Sequence, residues 1–256
     1  MLLEKLSHGV AAITLDFPPA NAIGPAQITQ LDEALTQAAA DSACRALVIR
    51  AKGRFFCAGA DIRIMQRAQG EAVDAVANRL AGFARQLQIL YAKLEAFPAP
   101  SIAAISGITI GGGLELALAC DFRIAAMEAT LGLAETKLGL IPGAGGTQRM
   151  VAVLGRARAS DLILRARLIT GEEAARIGLV HEAVAGDNTQ SRALALAEEL
   201  AALPQAALRE AKRCMALAVS SEGYAAEIEA TRALQGDPET QALISAFLAR
   251  SSKSRT

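Results

Sequence analysis

From Ala96 to Leu114 the chain carries no charged side chain, and acids stand at both ends, Glu95 before the run and Glu115 after it. An uncharged run of this length is buried somewhere, either in a bilayer or in a protein core. Pro98, Pro100, Gly107 and the triplet Gly111 to Gly113 interrupt it. Those breakers leave "SIAAISG" (101–107) as a buried strand and "GGGLELALACD" (111–121) as a glycine loop opening a short apolar helix. A strand, a loop and a helix start are therefore expected, not a membrane span. Glu115 sits in the first turn of that helix between leucines, where a charge is costly to bury.

The rest of the chain has similar punctuation. "GVAAITLDF" (9–17) alternates with Ile13, Leu15 and Phe17 on one face, which predicts a strand. "AQITQLDEALTQAAAD" has helical spacing at Ile28, Leu31 and Leu35. "RALVIRAKG" (45–53) predicts a short buried strand, and "FRIAAMEATLG" (122–132) another strand and turn. In "LITGEEAARIGLVHEAV", Thr170 and Glu173 form a capping-box pattern, Gly178 stops the helix, and "LVHEAV" returns as a strand. This mixture argues for an α/β fold with parallel pairing over residues 1–190. From 191 to 256 only helical patterns follow, at 190–202, 204–218, 221–235 and 238–250. Leu243, Ala246 and Phe247 give the last of these an apolar face. A helical tail of this kind covers the core or packs on another subunit. No internal repeat stands out.

Several function classes lose support. Acids and bases balance at 26 each, so the net charge asks for no nucleic acid or acidic partner. The arginine run Arg149, Arg156, Arg158, Arg165 and Arg167, opposed in sequence only by Asp161, is the one feature that would suit RNA. It has no interleaved aromatics for base stacking and reads better as a solvated helix face. Cys44, Cys57, Cys120 and Cys214 lie far apart without a CxxC pair, as expected of reduced thiols in a cytoplasmic protein. The "MLLEKLSHGV" terminus has charges inside its apolar stretch and makes a poor signal peptide. The two histidines, His8 and His181, are near no cysteine, so no metal site is expected. Neither accompanies a G-x-S-x-G elbow, which weighs against a serine triad.

Three glycine-rich loops remain. "PGAGGTQR" (142–149) lacks the Gly-Lys-Ser/Thr of a phosphate loop and reads as a tight turn before a helix. "FFCAGAD" (55–61) follows a strand and precedes the helical "IRIMQRA". "ITIGGGLE" (108–115) follows a strand and precedes "LELALAC". The last two offer free backbone N–H groups beside helix starts, where negative charge is stabilised. Aimed at one oxygen, two such groups make an oxyanion hole. Glu115 and Glu135, if they flanked such a site, could divide the work of activating water and protonating carbon.

"FFCAGADI", "ISGITIGGGLELALACDFRIA" and "LGLAETKLGLIPGAGGTQRM", in that order, resemble the enoyl-CoA hydratase/isomerase (crotonase) family over nearly the whole chain. The resemblance implies a spiral of ββα units with a C-terminal helical region used for oligomerisation, as homotrimer or homohexamer. It implies acyl-CoA substrates in lipid metabolism, with coenzyme A part of the substrate and no metal or other cofactor. Carried onto this chain, the oxyanion hole falls on Ala60 and Gly112, and the substrate site on Ala58, Ala60, Asp61, Ile62, Arg63 and Gly112. The two glutamates of family hydratases fall on Glu115 and Glu135. Holding both favours hydration of trans-2-enoyl-CoA to 3-hydroxyacyl-CoA, and speaks against a silent scaffold. An isomerase using Glu135 alone is the nearest alternative. Ala134 stands where many hydratases have proline, and "LAETKLG" resembles branched-chain members such as 3-methylglutaconyl-CoA hydratase. Ile108 to Ile110 are expected beside the acyl pocket.

Overall fold

The computed structural model of the chain describes residues 1–65, 68–69 and 71–218, with scattered residues between 222 and 244. Its contacts divide into two units, Met1–Leu200 and Ala201–Thr256.

The first unit opens with β1 (Leu2–Lys5) and β2 (Val10–Leu15), paired antiparallel. Helix α1 (Pro25–Ala40) follows. Three successive units then repeat one pattern of two strands and a helix: β3 (Ala46–Ala51), β4 (Phe55–Cys57) and α2 (Val73–Glu95); β5 (Ser101–Ile105), β6 (Ile108–Ile110) and α3 (Gly112–Leu118); β7 (Phe122–Ala126), β8 (Thr130–Gly132) and α4 (Gly146–Leu164). The unit closes with β9 (Ile169–Thr170), α5 (Gly171–Ile177), β10 (Glu182–Val184) and α6 (Thr189–Ala201), which runs to the division. Helix α7 (Gln205–Met215) lies in the second unit.

The first strand of each repeat joins a six-stranded sheet of order β1-β2-β3-β5-β7-β10, parallel beyond the first pair. The second strand joins a four-stranded sheet of order β4-β6-β8-β9. The chain thus winds from one sheet to the other and back through a helix, turn after turn, which is the spiral the resemblance implied. Before β3, the second-sheet strand shrinks to a single bridge, Ile23 to Ala60.

Parallel strands covered on both faces need no polar side, and these have almost none. Residues of β2 are buried throughout, so its alternation sorts two buried faces. Ile13 and Leu15 point with Leu47, Ile49, Ala103 and Ile105 into the main cluster. Phe83, Leu87, Leu90, Tyr91 and Leu94 of α2 fill the same cluster.

Two local expectations change. "IRIMQRA" begins as a 3-10 turn over Ile62–Met65. The long helix here is α2, whose apolar residues recur at helical spacing. "FRIAAMEATLG" forms two strands, β7 and β8, one in each sheet. The helical segments read at 221–235 and 238–250 lie largely outside the described residues.

The start of α5 is half of the expected capping box. Thr170 Oγ1 accepts the Glu173 N–H at 3.1 Å, while the Glu173 carboxylate turns to Arg167 and Arg176. Gly178 ends the helix at φ +85°. Thr170→Ala should cost about 1 kcal/mol, the usual worth of such a cap. Urea unfolding checks it, with a lower midpoint at unchanged slope.

Candidate active site

The site lies where the second-sheet strands give way to their helices. Gly111 takes φ +54° between β6 and α3, a conformation that suits glycine. Its N–H donates to Gly132 O at 3.0 Å, tying the loop to the end of β8. Gly113 packs so tightly on β4 that a Cβ there would stand 2.1 Å from Cys57 O. At Gly112, between them, a Cβ would meet Ala60 N at 3.5 Å, so the backbones of Gly112 and Ala60 face each other across a narrow gap. Among the described residues, neither the Ala60 N–H nor the Gly112 N–H has an acceptor. The Ile23 bridge uses Gly59 O and Asp61 N and leaves Ala60 N–H turned away from it.

One helical turn along α3, Glu115 is 3% exposed. Its Oε1 accepts two backbone N–H groups, from Ala144 at 2.8 Å and Gly146 at 2.7 Å. Glu135 begins the 3-10 turn after β8. Its Oε1 lies 3.1 Å from where a Cβ on Gly111 would be, against the glycine loop. Its Oε2 is buried and has no hydrogen-bond partner. Burial pushes both carboxyls up, Glu115 to about 7, with the nearby Glu135 adding to the rise at Glu115. The Ala144 and Gly146 N–H groups oppose that rise because they bind the charged form better.

The structure therefore brings Ala60, Gly112, Glu115 and Glu135 together. Two other expected residues are tied elsewhere. Ala58 donates its N–H to Ala20 O, and the exposed Arg63 forks onto Asp61, holding that carboxyl below its usual range. Ile62 and Arg63 open the 3-10 turn directly after the Ala60 loop. Ile108 and Ile110 are half-buried on either side of the fully buried Thr109.

Some participants were not legible beforehand. "PGAGGTQR" is a turn before a helix, as expected, and also the donor of both N–H groups to Glu115. Tyr91, fully buried on α2, donates its hydroxyl to Gly112 O at 2.8 Å. The arginine run is largely engaged within the protein. Arg149 pairs with Glu95 and Ala144 O, Arg158 with Ile177 O, Arg165 and Arg167 with Asp161, and Arg167 also with Glu173. His8 meets Glu198, and His181 packs on Phe122 and accepts the Arg123 N–H. Among the described residues no group of three or more His, Cys, Asp or Glu could hold a metal, and no helix is long and apolar enough to cross a membrane.

Two free N–H groups facing one gap beside the buried Glu115 and half-buried Glu135 carboxyls form a site that can polarise a carbonyl and move protons at neighbouring atoms. The enoyl-CoA hydratase/isomerase family model matches residues 5–250. The chain belongs to this family. It is 43% identical over 237 residues to the Bos taurus mitochondrial enoyl-CoA hydratase domain-containing protein 2, covering 90% of this chain and 76% of that one. It is 34% identical to the Rattus norvegicus mitochondrial methylglutaconyl-CoA hydratase, over 91% of this chain and 77% of the relative. Among solved structures, the Bacillus anthracis enoyl-CoA hydratase superposes with a TM-score of 0.88 at 34% identity, covering 97% of this chain and 96% of that one.

Proposed function

We propose that the chain is an enoyl-CoA hydratase that adds water across the double bond of trans-2-enoyl-CoA thioesters. The observation that carries this reading is the convergence of two differently held carboxyls on one pair of free N–H groups. The thioester carbonyl oxygen accepts from Ala60 N–H and Gly112 N–H, which withdraws electrons from C3. Glu115 takes a proton from water as the water oxygen bonds to C3. The charge passes through the enolate oxygen, and Glu135 gives its proton to C2. The product is a 3-hydroxyacyl-CoA, and the proton taken up by Glu115 restores the pair after exchange with Glu135 or solvent.

The division of labour follows from hydrogen bonding. Glu115 has two N–H donors that favour its charged form, so it is the base. Glu135 Oε2 has none, and burial pushes its carboxyl up, so it is the acid of the pair. The test is the loss of the ultraviolet band of the conjugated thioester when protein is added to crotonyl-CoA. Conversion of a 3-enoyl-CoA with crotonyl-CoA left untouched would replace this reading with an isomerase using Glu135 alone.

The pH dependence follows with a definite sign. The base must be charged, so kcat/KM falls as the medium becomes more acidic than about 7, the value to which burial pushes Glu115. A profile that falls on the acid side with its midpoint near neutrality is expected, and a flat profile down to the ordinary glutamate range contradicts it.

A branched substrate has a specific observation behind it. Ala134 precedes Glu135, "LAETKLG" follows the branched-chain wording, and relatives at 34% identity are named methylglutaconyl-CoA hydratase. Comparing kcat/KM for crotonyl-CoA and 3-methylglutaconyl-CoA decides between straight and branched chains.

A further inference from the structure

In sequence Arg149 belongs to a basic run, yet its side chain is only 13% exposed. It lies in the first turns of α4 and points back under the loop that precedes its own helix. Nη1 donates to Ala144 O at 3.0 Å, and Nη2 donates to Glu95 Oε2, at the end of α2, at 2.9 Å. Gly145 makes room for it, since a Cβ there would stand 2.2 Å from Nη1. The residue whose carbonyl Arg149 holds is the one whose N–H holds Glu115. A continuous chain of contacts therefore runs from Glu95 through Arg149 and Ala144 to Glu115 Oε1.

We propose that Arg149 is a positioning residue, which fixes Glu115 through the Ala144–Gly146 loop and supplies the positive charge on its side of the site. This rests on the reading of Glu115 as the base. A carboxylate that must be charged while buried needs donors that do not move and a cation near enough to act but engaged elsewhere. An arginine that bonded Glu115 directly would neutralise it and lower its basicity. Held by Glu95 and a carbonyl, Arg149 acts on Glu115 at second hand. The charged and titratable groups facing Glu115 are Glu135 from the turn after β8, Arg149 from α4 and the Tyr91 hydroxyl from α2, with Glu95 behind Arg149. Burial and Glu135 push the Glu115 carboxyl up, and Arg149 is the side chain that draws it down.

The experiment is the pH profile of crotonyl-CoA hydration for Arg149→Met and Arg149→Lys, beside Glu115→Gln. In Arg149→Met the acid limb of kcat/KM moves to higher pH, because a positive charge that favours the charged carboxylate is lost. Its kcat falls roughly tenfold, within the range for acid–base assistance, and KM stays near the wild-type value. Arg149→Lys returns the limb toward the wild-type position but leaves kcat low, because one ammonium does not reproduce the fork that spans Ala144 O and Glu95. Should Arg149→Met fail to fold, the lysine variant decides alone, since a wild-type kcat in it overturns the positioning role. Unchanged limb and kcat in both variants, with Glu115→Gln inactive, overturn the proposal and leave the hydratase reading standing. Full activity in Glu115→Gln overturns the reading of Glu115 itself.

Discussion

Glutamine at Glu115 or at Glu135 leaves a folded protein whose turnover of crotonyl-CoA is lower by roughly two orders of magnitude or more, the scale on which positioned acids and bases act. The two variants differ in stability, and that difference is the sharper test. Glu115 is buried, and its folded carboxyl is pushed from 4.5 up to about 7. A raised carboxyl costs the fold nothing below its unfolded value, because it is protonated in both states. The cost grows as the pH rises toward about 7 and is complete above it. At 1.36 kcal/mol for each pH unit, the full cost is about 3 kcal/mol. Glutamine keeps the carbonyl oxygen that accepts from Ala144 and Gly146 and has no charge to desolvate. Glu115→Gln should therefore unfold at higher temperature than the wild type at mildly alkaline pH, with the gap closing as the pH falls toward 4.5. The residue that is most needed for turnover is then one that the fold would be more stable without, as expected of acids held in a functional site. Wild-type turnover in either variant defeats the two-carboxyl mechanism. A Glu115→Gln protein less stable than the wild type at alkaline pH defeats the account of its burial.

Gly112→Ala and Gly113→Ala should fail in opposite ways. At Gly113 the new methyl group would stand 2.1 Å from Cys57 O and 2.8 Å from Cys57 Cβ. Strand backbone cannot yield that much, so α3 must lift off β4. The loss is about 3 kcal/mol or more, at or beyond the upper end of ordinary overpacking, and is read as a fall in melting temperature and soluble yield. At Gly112 the nearest atom to the new methyl is Ala60 N at 3.5 Å, an ordinary contact. Alanine at a helix start also restricts the unfolded chain more than glycine does. Gly112→Ala should therefore fold as well as the wild type. Its methyl would stand in the gap between the two N–H groups and crowd the thioester oxygen. Turnover should fall roughly a hundredfold, comparable to removing one oxyanion donor. A fully active Gly112→Ala would show that the oxyanion is held elsewhere.

Legibility in the sequence followed the range of the interactions. Strand β5, the Thr170 cap and the glycine triplet are encoded within a few residues, and each could be read as written. Helix α2 was also written locally, in the spacing of Phe83, Leu87, Leu90, Tyr91 and Leu94, and should be found by any reading that counts helical periods from Val73 onward. The ββα repeat could not be seen as a repeat of letters. What recurs is where each strand goes, first to one sheet and then to the other, and Ala46–Ala51, Ser101–Ile105 and Phe122–Ala126 meet that demand with different side chains.

The sequence by itself determined that Glu115 would stand one turn into an apolar helix behind three glycines, and that Ala60 would sit in a loop before a helix start. It could not say what would hold Glu115. The donors to Glu115 come from Ala144, 29 residues away, and Gly146, 31 residues away. Both act through backbone N–H groups, which every residue except proline possesses and no side-chain pattern announces. Arg149 looked like a solvated charge for the same reason, because its partners are a carbonyl and an acid 54 residues earlier. Only the winding of α4 back over α3 brought that loop against the buried carboxyl, where two aligned N–H dipoles favour its charge and a second acid opposes it.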